Sequence, residues 1–186
     1  HSQKMLHLDL KPKNIMRRTD NTLFLIDFGL SKQIDKNGEP ESSTTIGLGT
    51  PGYAPLEQGS QEYGKILAPT LDIYALGATL FKMLTGKTPP KASEILNEGF
   101  AEEELRQKHI SAQTISAIKK AMAPMRIKRP QTVNEFVALT HSTTNSHTDE
   151  SAKHTSYNKQ HATYQGIAFY YVQNDKLGYF LNDNIY

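Results

Sequence analysis

The sequence contains no cysteine among its 186 residues. Disulfides and thiolate metal sites are therefore excluded, and the composition suits a reducing compartment. Long apolar runs are missing as well. No stretch approaches the roughly 20 residues that carry a helix across a bilayer, and no signal-peptide pattern is visible. An excess of one charge is also lacking. The formal net charge of +2 is too small to argue for nucleic acid or an acidic membrane as partner. The first residue is His1 and not Met, so the natural start of the chain is expected upstream.

What remains describes a soluble globular chain long enough for one domain with its own core, with 37% hydrophobic and 22% charged residues. Residues 1 to 140 have that texture. IMRR, TDNT and LFLI read as strand, turn and strand, because β-favouring runs flank a turn rich in Asp, Asn and Thr. The mostly polar segment from Asp27 to Gln58 reads as a long loop, of the kind that is usually functional or disordered. PTLDIYALGATLFKMLTG follows, with Pro69 suited to a first helical turn and Gly86 to a stop. Its apolar residues lie on most sides, so it is predicted as a buried central helix. Shorter amphipathic helices are predicted over SAQTISAIKKAMA and QTVNEFVALT, with another around Ser93 to Asn97. The run Glu102 to Glu104, Lys82 and Lys87 read as solvated surface.

From residue 141 to 165 there is no Val, Ile, Leu, Met or Phe. Such a stretch cannot bury enough apolar surface to offset its ordering entropy and reads as a flexible polar linker. Its histidines, His141, His147, His154 and His161, read as ordinary linker residues and not as a metal site. Residues 166 to 186 hold two aromatic and β-branched runs around QNDK and read as a β-hairpin, the start of a further domain or a segment that docks elsewhere.

The chemistry gathers in HLDLKPKNIM. Asp9 stands five residues before Asn14 with Lys11 between them, and two strands lead directly to Asp27, Phe28 and Gly29. Phosphoryl transfer needs a carboxylate to orient a hydroxyl, metal ligands to neutralise phosphate charge, and a cation near the transferred group. This stretch supplies each, and Asn14 and Asp27 offer the oxygen ligands that Mg²⁺ prefers.

HLDLKPKN resembles the catalytic loop of protein kinases, H-R-D-L-x-x-x-N, and DFG matches their magnesium motif at hairpin distance. The resemblance implies Asp9 as catalytic base, Lys11 near the γ-phosphate of ATP, and Asn14 and Asp27 as Mg²⁺ ligands. Lys11 followed by Pro12 looks like the serine/threonine branch. GTPGYAPLEQ resembles the end of a kinase activation segment in a bacterial-looking form, with Ala54 and Pro55 one place early and Glu57 in its usual place. Glu57 is then expected to pair with Arg129 of IKRP, Thr50 to bond near Asp9 and Lys11, Asp72 to brace the catalytic-loop backbone, and His7 to support it. GLGTPG, residues 47 to 52, also fits G-x-G-x-x-G. It sits in a polar loop, carries Pro51 and overlaps the activation-segment match, so it is read as a decoy and not a phosphate loop.

Two departures from the family pattern matter. Leu8 replaces the usual Arg, and a leucine cannot pair with phosphate. That argues against activation by loop phosphorylation, although Ser42, Ser43, Thr44 and Thr45 are available. The glycine-rich loop, the β3 lysine and the αC glutamate of the family all precede the catalytic loop, and only six residues precede His7 here. The expected fold is therefore mainly α with a small β-hairpin: a kinase C-terminal lobe without its N-terminal lobe, cut short within the helix before the loop, with HSQKMLHLDL as the tail of that helix running into the loop. The expected activity of the parent is transfer of the ATP γ-phosphoryl group to protein Ser or Thr hydroxyls, with little activity in this chain alone. The alternatives are a catalytically inactive lobe acting as a scaffold, and a small-molecule phosphotransferase, which Lys11-Pro12, the DFG and GTPGY disfavour. The resemblance implies a protein substrate, no nucleic acid and a cytoplasmic catalytic domain, with any membrane anchor outside this chain. Oligomeric state leaves no mark in the sequence.

Overall fold

The computed structural model describes residues 1, 4–35, 39, 49–59, 67–141, 162–164, 167–172 and 176–181. The chain divides into two compact units, one built from residues 1–14 and 27–143 and the other from 15–26 and 144–186.

In the first unit, strand β1 (Met5–Leu6) leads into the His7–Asn14 loop, which closes in a 3-10 turn over Pro12–Asn14. The expected tail of a helix falls partly on residues 2 and 3, outside the described residues. Lys4 has φ +53° and its amide closes a turn onto the His1 carbonyl, after which Met5 and Leu6 are extended. β1 pairs antiparallel with β4 (Lys32–Gln33), Met5 opposite Gln33 and Leu6 opposite Lys32. The segment after Asp27 is thus not all loop; a two-residue strand carries too few alternations to stand out in a sequence.

Helix α1 (Thr70–Thr85) is buried through most of its length, as its apolar residues on several sides require. Pro69 stands at its N-cap, and Gly86 ends it at φ +73° with its amide on the Lys82 carbonyl. α2 (Ala92–Glu98) and α3 (Glu102–Arg106) follow. α3 is missed by the sequence reading, because its acidic first turn hides the single fully buried anchor, Leu105. The acidic run is not only solvated surface: Glu102 pairs with Arg106 at 2.9 Å and Lys119 at 2.5 Å, and Glu104 with Lys87 at 2.5 Å. α4 (Ala112–Ala121) starts at Ser111, whose side chain accepts from the Thr114 amide, and α5 (Val133–His141) ends this part.

α4 crosses α1 at Gly77. A Cβ there would stand 2.7 Å from that of Ala121, so only glycine permits this approach. The core around the crossing includes Ile73, Tyr74, Phe81, Ile118, Met122 and Phe136, and Phe100 meets the edge of Phe81 with 5.9 Å between ring centres. A second apolar cluster, Leu6, Leu8, Leu67 and Leu71 with Leu30 and Ile34 against it, underlies the His7–Asn14 loop.

In the second unit, β2 (Ile15–Arg17) and β3 (Leu23–Leu25) form the hairpin expected from IMRR and LFLI, with Met16 opposite Phe24. The Arg18 guanidinium stands 4.5 Å from the centre of the Phe24 ring. Strands β5 (Ala162–Tyr164), β6 (Ile167–Val172) and β7 (Lys176–Leu181) form an antiparallel sheet in that order. β6 and β7 pair antiparallel with Val172 opposite Lys176. β5 falls inside the stretch read as linker; residues 142–161, with His147, His154 and His161, lie outside the described residues.

Candidate active site

The site is built on the short path from β1 to the Pro12–Asn14 turn. The amides of His7 and Leu8 donate to the two oxygens of Asp72, each at 2.8 Å. Successive amides converge on one anion only if the backbone curls, and Leu8 accordingly has φ +64°. Asp72, in the first turn of α1, is buried. Burial pushes its carboxyl above the usual range, against the pull of the two amides and the His7 ring. His1 Nε2 lies 2.9 Å from the same carboxylate.

Asp9 follows immediately. Lys11 Nζ donates to its Oδ2 at 2.6 Å and to Thr50 Oγ1 at 2.7 Å, and the Thr50 hydroxyl donates to Asp9 Oδ1 at 2.6 Å. Asn14 Nδ2 donates to the Asp9 carbonyl at 2.8 Å and to Oδ2 at 3.1 Å. Partial burial raises the Asp9 carboxyl, but the bonds from Lys11 and Thr50, the Lys11 charge and the Asn14 bond outweigh it and hold the group below its ordinary value of 3.8. Asp9 is therefore a carboxylate throughout the neutral range. Its contribution to stability is fully present above pH 3.8 and is lost as pH falls through the lower folded-state value. A carbon-13 titration of the Asp9 carboxyl should give a midpoint below 3.8; one above it would contradict this arrangement.

Asn14 spends its amide nitrogen on Asp9, which leaves Oδ1 as its atom suited to a cation. Asp27 is exposed, with φ +60°, and its Oδ1 accepts from the Gly29 amide at 3.3 Å. No hydrogen bond joins Asp27 to Asp9, Lys11 or Asn14, and no group of three or more His, Asp or Glu side chains gathers among the described residues. An amide oxygen and a carboxylate are donor types that suit Mg²⁺, which is commonly held by one or two carboxylates and completes its shell with phosphate oxygens and water; no hydrogen bond among the described residues joins Asn14 to Asp27.

His7 is buried beneath the loop. Its Nδ1 accepts from the Asp9 amide at 3.3 Å, and its ring meets that of Phe28 with 5.0 Å between centres. Farther away, Arg129 fills all five of its donor positions. Two bonds go to Glu57, at 2.6 and 3.1 Å, and the others to the carbonyls of Thr70, Ala123 and Pro124. The Tyr74 ring lies 5.1 Å from the guanidinium.

Two participants escape the sequence reading. Gln58, in the 3-10 turn Leu56–Gly59, donates to the Leu8 carbonyl at 2.6 Å, and Ser31 Oγ donates to the His7 carbonyl at 3.2 Å. Neither could be read locally, because the partners lie 50 and 24 residues away. Leu8 itself is a core residue and not merely an absent arginine. Ser42, Ser43, Thr44, Thr45, Gly47 and Leu48 lie outside the described residues. Directly after GLGTPG, the Tyr53 and Ala54 amides both donate to the Thr50 carbonyl.

The family model described as the protein kinase domain matches residues 1–161, running past residue 140. The chain is similar to serine/threonine-protein kinase B of Synechocystis sp., 47% identical over 96 residues, covering 48% of this chain and 16% of that protein. It is similar to serine/threonine-protein kinase PknA of Nostoc sp., 39% identical over 113 residues, covering 54% of this chain and 19% of that protein. With PknB of Mycobacterium tuberculosis it shares 30% identity over 145 residues, 74% of this chain and 23% of that protein. The chain thus spans less than a quarter of the length of these relatives. The solved structure titled "PpkA-294 apo form" superimposes with a TM-score of 0.56 at 28% identity, over 73% of this chain and 46% of that one.

Proposed function

The chain belongs to the protein kinase family, in its bacterial serine/threonine type, and from that premise we propose that it carries the C-terminal-lobe catalytic loop of an enzyme that transfers the γ-phosphoryl group of ATP to Ser or Thr hydroxyls of proteins. The observation that carries this reading is the Asp9 carboxylate, held by Lys11, Thr50 and Asn14 within one hydrogen-bonded group.

Each residue has a role in the proposal. Asp9 accepts a hydrogen bond from the substrate hydroxyl and takes its proton as the oxygen attacks. A carboxylate is a weak base, so its main service is to orient that oxygen in line with the phosphorus. Lys11 keeps a positive charge beside the transferred group, where negative charge is spread in the transition state. Asn14 Oδ1 and Asp27 would hold Mg²⁺, which would screen the phosphate charge when bound. Thr50 and His7 fix the carboxylate and its peptide; Asp72 and the Glu57–Arg129 pair fix the backbone around them. In this reading the stretch between α5 and β5 is a linker, and β5 to β7 belong to a separate β segment.

Asp27→Asn tests the metal role. In the complete protein it should raise the Mg²⁺ concentration needed for half-maximal activity by at least about tenfold, since even outer-shell partners are worth that much. An unchanged Mg²⁺ dependence would remove Asp27 from the ligand set.

A further inference from the structure

Gln58 is a polar side chain with only 3% of its surface exposed. Its Nε2 donates to the carbonyl of Leu8 at 2.6 Å. That carbonyl belongs to the peptide unit joining Leu8 to Asp9. The other end of the same unit, the Asp9 amide, donates to His7 Nδ1. The peptide that carries the reacting carboxylate is therefore held at both ends. It needs holding: Leu8 sits at φ +64°, a conformation that strains an L-residue and persists only where the surroundings fix it.

The Gln58 amide also abuts Gly49, where a Cβ would stand 2.7 Å from Nε2 and 3.2 Å from Cδ. Gly49 precedes Thr50, whose hydroxyl grips Asp9 Oδ1. One segment, residues 49 to 59, thus holds Asp9 twice: its carboxylate through Thr50, and its peptide through Gln58. Merely closing a turn would not call for this. The Leu56–Gly59 turn is closed by its own backbone, with the Gln58 amide on the Pro55 carbonyl.

We propose that Gln58 is a positioning residue for phosphoryl transfer, setting the orientation of Asp9 by clamping the Leu8–Asp9 peptide to the segment that carries Thr50. This rests on the reading of Asp9 as the group that orients the substrate hydroxyl. The side-chain amide touches no reacting atom and acts through the backbone. A rotation of the peptide plane would swing Asp9 away from Thr50 and Lys11 together, so loss of the clamp falls on the chemical step and not on binding.

The test uses Gln58→Met in the complete protein, a change that keeps volume and removes the donor, with Gln58→Ala as a second variant should the first fail to fold. Expected are a kcat lowered on the order of tenfold, KM values for Mg-ATP and protein acceptor within twofold of wild type, and a melting point above the assay temperature. Amide hydrogen exchange of the folded variant should rise in peptides covering residues 7 to 14. A kcat within twofold of wild type, a loss carried wholly by KM, or unchanged exchange would each overturn the proposal. An inactive wild type would overturn the kinase reading instead, and the exchange measurement alone would then decide whether Gln58 clamps the loop.

Discussion

Asp9→Asn in the complete protein is expected to lower kcat by roughly 10²–10⁴-fold, the usual contribution of a positioned proton-accepting group, while KM for Mg-ATP changes little. The substitution keeps the shape of the side chain but replaces one oxygen with a donor and removes the charge. The bonds from Thr50 at 2.6 Å and Lys11 at 2.6 Å both point at that carboxylate. An asparagine must turn its amide nitrogen toward one of these donors or toward the substrate hydroxyl, and neither arrangement can take up a proton. Lys11 keeps its bond to the Thr50 hydroxyl and is part-exposed, so the loop should fold. Single-turnover kinetics with circular dichroism checks this; a well-folded variant with wild-type turnover would remove Asp9 from the reaction.

The second large effect concerns stability. Glu57→Ala is expected to destabilise the fold by roughly 3–5 kcal/mol, the range for removing one partner of a buried pair, and to lower the melting point by roughly 10 °C or more for a chain of this length. The reason is the state of Arg129, whose side chain has no exposed surface while Glu57 retains 15%. Without Glu57 the guanidinium keeps its three carbonyl partners but loses the carboxylate that pairs with it. Arg129→Lys should be nearly as damaging, because one ammonium cannot meet five acceptors arranged around a planar fork. Thermal denaturation of both variants measures this, and a shift under about 2 °C in either would show that the pair is solvated in the native state.

What the sequence could and could not disclose follows from distance along the chain. Asp9, Lys11, Asn14 and Asp27 lie within 19 positions, with a plain hairpin between Asn14 and Asp27, so the resemblance of HLDLKPKN and DFG to the kinase motifs could be read locally. α1 was equally legible, since Pro69 and Gly86 frame its apolar run. Gln58 was not, because a glutamine after Glu57 has no local feature that points to a carbonyl 50 residues earlier. β1 and β4 are two residues each and have no periodicity to read. The missing arginine at position 8 was legible as an absence; that Leu8 instead joins Leu6, Leu67 and Leu71 in a cluster depends on tertiary packing.

That cluster places an uncharged side chain at position 8, with no charge there for a phosphate to neutralise.

The most direct measurement is the chemical identity of the product. The complete protein is incubated with γ-labelled ATP, Mg²⁺ and a protein acceptor, and the labelled protein is hydrolysed and its phosphoamino acids separated. Label in phosphoserine or phosphothreonine, absent with Asp9→Asn, is the expected result. Label confined to phosphotyrosine, or none from a folded wild-type protein, would contradict the account.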